Sequence, residues 1–171
     1  MKKIILVFCA LVSVSLLIFI ISFDTEEPEL NIITAEGKCS LSVPKYLSAT
    51  DRIDPSAFLQ LKNEQEQFFI LVYEKTDSVH SLMTFFKDFS ERFISKVDRG
   101  NMTRYYPEKI NGLDALIGNI RGNVNETEVH YRIAVFQSGN RFFTLMAGTT
   151  EKSHGQYDDV ITEIIRSFRA I

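Results

Sequence analysis

The stretch from Ile4 to Phe23, IILVFCALVSVSLLIFIISF, contains no charged residue, no Pro and no Gly, and its only polar side chains are Cys9, Ser13, Ser15 and Ser22. A helix of about 20 apolar residues rises roughly 30 Å, the thickness of a bilayer's hydrocarbon core. The segment therefore divides the chain into an N-terminal signal anchor or transmembrane helix over residues 1–23, an acidic linker over 24–30 and one folded domain over 31–171. Lys2 and Lys3 flank the apolar run on one side, and Asp24, Glu26, Glu27 and Glu29 on the other. The positive-inside rule then keeps the N-terminus cytoplasmic. This predicts a single-pass protein of the cell membrane whose domain is extracytoplasmic, in the periplasm of a bacterium. The alternative is a cleaved secretory signal, which needs small residues just before the cut; Ile20-Ile21-Ser22 offers a large one. Lipidation at Cys9 fits less well, because bulky Phe8 precedes it.

Charge excludes one class of partner. Removing Lys2 and Lys3 from the 19 basic residues leaves 17 against 22 acids, a net charge of −5 outside the apolar segment. A domain of that balance is not built to neutralise phosphates, so nucleic acid is not expected as a partner. With Cys9 in the apolar segment, Cys39 has no partner for an internal disulfide. Cys39, Leu41 and Val43 alternate with Ser40 and Ser42, which puts the thiol on the apolar face of a strand. It reads as a small buried hydrophobe rather than a nucleophile, with an intermolecular disulfide as the other possibility.

The domain's punctuation predicts strands, a helix, a strand meander and a second helix. Two short strands lie around Glu36-Gly37, with Pro44 ending the second, and another runs from Phe58 to Leu61. The run Phe68 to Tyr73, FFILVY, is apolar throughout, as in a central strand covered on both faces. Asp77-Ser78 supplies the N-cap of a helix of about 20 residues, with Leu82, Phe86, Phe89, Phe93 and Val97 on one face. Phe85, Phe86, Phe89 and Phe93 fit core packing first and a ligand-binding stripe second. Beyond lie a strand at Thr103 to Tyr106, an Asn111-Gly112 turn, a strand from Leu113 to Arg121, a loop over 122–127, an alternating strand around Val129 to Val135, and a strand from Arg141 to Ala147. A helix from about Ser153 buries Tyr157, Val160, Ile161, Ile164, Ile165 and Phe168.

Chemistry-bearing motifs are sparse. His80, His130 and His154 do not stand at familiar metal-ligand spacings, so no metal and no cofactor is expected. No G-x-S-x-G, Walker-type or G-x-G-x-x-G motif occurs, and no catalytic residue is assigned. His130 with Arg132 on the polar face of one strand suits an anion, although such a face is ordinarily solvated. Asp158-Asp159 reads as solvated surface, and Gly118 and Gly122 as bulge or turn residues. Asn101-Met102-Thr103 and Asn125-Glu126-Thr127 match the glycosylation sequon, which matters only in a eukaryotic secretory pathway.

Several segments together resemble the PsbP-like α/β/α sandwich of the extrinsic photosystem II subunit and the Ran-binding nucleotide-release-factor family. They are Leu41-Ser42-Val43-Pro44-Lys45-Tyr46, Ala57-Phe58-Leu59-Gln60-Leu61 with Asn63 and the Phe68 to Tyr73 run, Ile110-Asn111-Gly112 with Ala115, and Ile164-Ile165-Arg166-Ser167-Phe168. The pattern is particularly similar to small membrane-tethered proteins of Bacteroidetes. It implies an α+β fold, an antiparallel sheet flanked by helices, and a non-enzymatic accessory role, with no cofactor or Ran-binding residue to transfer. With the anchor and short tether, the expectation is an accessory or scaffolding protein that binds another envelope or membrane protein. The alternative is a small-ligand or lipid-binding module, secreted if the N-terminal segment is cleaved, whose many Phe and Tyr would line a cleft between sheet and helix.

Overall fold

The computed structural model describes residues 30–63 and 68–171; the signal anchor and all but the last residue of the acidic linker lie outside them. Among the described residues no helix is long and apolar enough to cross a membrane. The elements follow as β1 (Leu30–Ala35), β2 (Cys39–Pro44), β3 (Ser48–Ala49), β4 (Leu59–Asn63), β5 (Phe68–Thr76), α1 (Leu82–Ile94), β6 (Asp98–Ile110), β7 (Leu113–Val124), β8 (Thr127–Ser138), β9 (Arg141–Thr150), α2 (Glu151–Ser167) and β10 (Arg169–Ala170). A seven-stranded antiparallel sheet has the order β3-β4-β5-β9-β8-β7-β6, and a small sheet has the order β1-β2-β10. The expected α+β sandwich is therefore present, with an additional small sheet that includes the C-terminal strand.

Period-two alternation assigns each strand's residues to one of two cores. Ile70 and Val72, Ala134 and Phe136, and Phe143 and Leu145 face α2 and the small sheet. Their neighbours Leu71, Ile133 and Val135, and Phe142 and Met146 face α1. Cys39 sits fully buried in the first core, where burial pushes its thiol up to about 11 and keeps it protonated, out of reach of intermolecular pairing.

The hairpins run longer than their sequence signals. The loop expected over 122–127 is two long strands joined at Asn125 and Glu126, both with positive φ, the tight turn that suits right-twisted strands. Gly118 and Gly122 lie within β7, and the register shifts of the β6–β7 pair fall on β6 instead. Their actual role is close approach: a Cβ at 118 would come 2.7 Å from Phe86 Cζ, and one at 122 would come 2.9 Å from the Asp98 carbonyl. β6, a sheet edge, carries these irregularities together with Pro107, which blunt it against further strand pairing.

Helix α1 is shorter than its periodicity suggests. Ser81, not Asp77 or Ser78, is the N-cap and accepts from the Thr84 amide at 3.2 Å. Asp77 caps the preceding turn, accepting from the Val79 and His80 amides, and these bonds hold its carboxyl well below the usual carboxylate range. The helix ends at Ile94, so Val97 reaches the core from the connection that follows.

Helix α2 begins at Glu151, immediately after β9, and Phe168 is its C-cap rather than its last turn. The Asn111-Gly112 turn closes beneath this end: Asn111 Nδ2 donates to the carbonyls of Arg166 and Phe168, each at 2.8 Å, satisfying groups that no helical N–H reaches. Asn111 also holds φ 49°, a left-handed conformation Asn tolerates better than Ala. Asn111→Ala should therefore cost about 1–2 kcal/mol, measured as a lower urea midpoint with an unchanged slope.

Candidate functional site: an aromatic cleft and a buried histidine cluster

One short helix cannot cover one face of seven strands. A 13-residue helix is about 20 Å long and some 10 Å wide, and α1 packs on β6, β7 and β8. The same face of β5 and β9 is left to a cleft of about 560 Å³. Phe69, Leu71 and Tyr73 of β5, Thr144 and Met146 of β9 and Tyr131 of β8 form its floor; Phe85, Phe89 and Phe93 form the helix wall. Phe93 meets Tyr131 edge-on at 4.8 Å, and Tyr73 meets Phe89 at 6.0 Å. The FFILVY run is covered on both faces, as its composition predicts: Ile70 and Val72 pack in the core beneath α2, while Leu71 is buried in the α1 core and Phe69 and Tyr73 beside it line the cleft.

The third wall is the loop around Ile53 to Ser56. Buried Gln60 braces it, its Oε1 accepting from the Ile53 and Asp54 amides at 2.9 and 3.1 Å and its Nε2 donating to the Asp54 carbonyl at 2.7 Å. Asp54 accepts from Ser56 and from the Tyr73 hydroxyl, and the Ser56 bonds hold its carboxyl below its ordinary value. Burial, with Asp54 beside it, raises the Tyr73 hydroxyl above its usual range. A second groove of about 390 Å³ shares Ile53, Phe69 and Tyr131 with the cleft and adds Val124 and Val129. Phe69 divides the two, its ring lying over Gly148, where a Cβ would come within 2.3 Å of it. Arg92 on α1 and Lys96, just beyond its C-cap, also line the cleft and are exposed.

On the opposite face, polar residues of β8 meet the start of α2. His130 and Arg132 were expected on a solvated face; instead α2 roofs them, leaving His130 5% exposed. Arg132 donates through Nε to Asn119 at 2.9 Å, through Nη1 to Thr162 at 2.7 Å and through Nη2 to Asp158 at 2.5 Å. Asp158 is thus an ion-pair partner rather than free surface, whereas Asp159 is exposed. His130 stacks on His154 at 4.1 Å, and its Nε2 faces the Glu151 carboxylate without hydrogen-bond geometry. Glu128, His130 and Glu151 each offer one ligand atom, all within 4.8 Å of one another. One imidazole and two carboxylates are a donor set suited to a divalent ion. The sequence shows no such spacing because Glu151 arrives across the β8–β9 hairpin. His80 stands apart, paired to Asp77 at 2.7 Å.

Burial, together with His130 beside it, lowers the proton affinity of His154; Arg132 and Arg121 add to this and Asp158 opposes it. As pH falls through about 6.5, the ordinary His value, the unfolded chain binds a proton the folded chain resists. Stability from this site is full above that pH and declines below it. Melting temperatures recorded between pH 7.5 and 5.5 should fall more steeply for the native chain than for His154→Gln.

No protein-family model and no curated protein sequence matches the chain. Among solved structures, cyanobacterial PsbP (CyanoP) from Synechocystis sp. PCC 6803 superposes with a TM-score of 0.68 at 13% identity, over 86% of this chain and 96% of that one. LpqN, involved in cell envelope biogenesis of Mycobacterium tuberculosis, gives 0.59 at 10% identity, over 83% and 90%. A protein from Bacteroides thetaiotaomicron gives 0.52 at 14% identity, over 82% of this chain and 48% of that one. Identities this low speak to architecture and not to activity. The fold of this chain is therefore the PsbP-like α+β sandwich that its turn and core motifs resemble.

Proposed function

We propose that this protein is a non-enzymatic accessory subunit, anchored in the membrane by its first 23 residues, whose domain lies outside the cytoplasm and binds another envelope protein. The observation that carries the reading is the uncharged Ile4–Phe23 run, with Lys2 and Lys3 before it and four acids close after it. The tether is too short to let the domain stray far from the bilayer. Likeness in fold to LpqN, a protein involved in cell envelope biogenesis, supports the location.

Protease added to intact spheroplasts tests the topology. The domain should be digested from outside while the chain resists extraction by alkaline carbonate; a carbonate-soluble chain lacking its first 23 residues would contradict the anchor. The cleft favours a second reading, a small-ligand or lipid-binding module, since its volume lies within the ~300–1,000 Å³ of ligand sites and six aromatic rings line it beside a few charged groups.

A further inference from the structure

We infer that the cleft between α1 and β5 binds a single-chain amphiphile with an anionic head, such as a long-chain carboxylate, with its tail among Phe69, Phe89, Phe93 and Tyr131 and its head at Arg92 and Lys96. The inference rests on the ligand-binding reading and adds the ligand's class.

The charge pattern selects the head. Phe85, Phe89, Arg92, Phe93 and Lys96 all line the cleft, and their spacing places them along one side of α1 and its C-terminal end. The carboxylates nearby are already engaged: Glu74 accepts from Arg141 at 2.7 Å, and Asp54 accepts from Ser56 and Tyr73. Arg92 spends only its Nε, on the Asp88 carbonyl, and neither Arg92 nor Lys96 forms an ion pair among the described residues. Both side chains are exposed, Lys96 within electrostatic reach of Asp54, so two cations stand at the rim of a largely apolar floor with donors to spare. A guanidinium fork beside an ammonium matches a carboxylate or phosphate head.

The shape selects the tail. On the far side of the Phe69–Tyr131 pair lies the second groove, whose lining includes Val124 and Val129. Two adjoining apolar floors separated only by the movable Phe69 side chain suit an extended acyl chain better than a compact polar metabolite.

The chain has no Trp, so Phe89→Trp places a single indole in the cleft. The full chain carrying this substitution, held in amphipol, is titrated with 12-bromododecanoate, whose bromine quenches at short range, and separately with 12-bromododecanol. The expected result is saturable quenching by the carboxylate, weakened at least tenfold by Arg92→Gln with Lys96→Gln, and weaker quenching by the alcohol that the double substitution leaves unchanged. Equal quenching by acid and alcohol, unaffected by the double substitution, would overturn the anionic head while the ligand-binding reading stood. Absence of saturable quenching by either probe, in this variant and in Phe93→Trp, would overturn both.

Discussion

Replacing Phe168 with Ala should lower the melting temperature by roughly 10 °C or more, the largest loss expected of any single truncation considered. Phe168 is fully buried, stacked on Phe136 at a centroid distance of 4.1 Å and tilted against Phe143 at 5.4 Å. Those rings come from β8 and β9, so one side chain seals the end of α2 to the middle of the large sheet. Truncating a buried Phe typically costs 3–5 kcal/mol, because a cavity is added to the lost burial, and each kcal/mol shifts the melting point of a domain this size by about 2–4 °C or somewhat more. Phe168 also caps α2, its carbonyl accepts from Asn111, and β10 pairs with β2 directly after it. The loss should thus extend to the small sheet as faster amide exchange at Cys39 and Ser40. Val79→Ala, at a side chain 87% exposed, should leave the melting temperature unchanged.

Gln60→Leu should cost about 2–3 kcal/mol although it keeps the side chain's size. The cost comes from what is left behind: the amides of Ile53 and Asp54 lose the one side chain that satisfies them, while the Asp54 carbonyl keeps only the Ala57 amide. A buried polar group deprived of its partner costs about 1–3 kcal/mol, and partial exposure of this loop lets water recover some of it. Because the same loop walls the aromatic cleft, limited proteolysis should show new cleavage between residues 51 and 57 in the variant. Loss of stability without new cleavage there would mean that Gln60 acts through the sheet and not through the loop.

These substitutions separate what sequence reveals from what it hides. Patterns with a local cause are legible: the alternation of Cys39, Leu41 and Val43, the turn at Asn111-Gly112, and the helical spacing of Ile161, Ile164 and Ile165 each give the right element and face. Boundaries are less so, since Asp77 competes with Ser81 as a cap and is spent on a turn of its own. Gly122 reads as a loop residue, yet its small volume serves a strand pressed against the Asp98 carbonyl, a neighbour defined only by the folded hairpin. The polar cluster is hidden for the same reason. His130 and Arg132 look like the solvated side of a strand until α2 lies over them, bringing Glu151, His154 and Asp158 from a helix whose own polar face looks merely solvated. The four Phe of α1 belong to both of their possible uses: Phe86 fills space above Gly118, while Phe89 and Phe93 line a cleft that exists because α1 is too short to cover β5 and β9.

The most direct test of the proposed role is mass spectrometry of what co-purifies with the tagged full-length chain from native membranes in mild detergent, reading its N-terminus in the same run. The account predicts an intact Met1 segment and a stoichiometric envelope or membrane protein alongside it; a solitary chain beginning near Phe23 would contradict it.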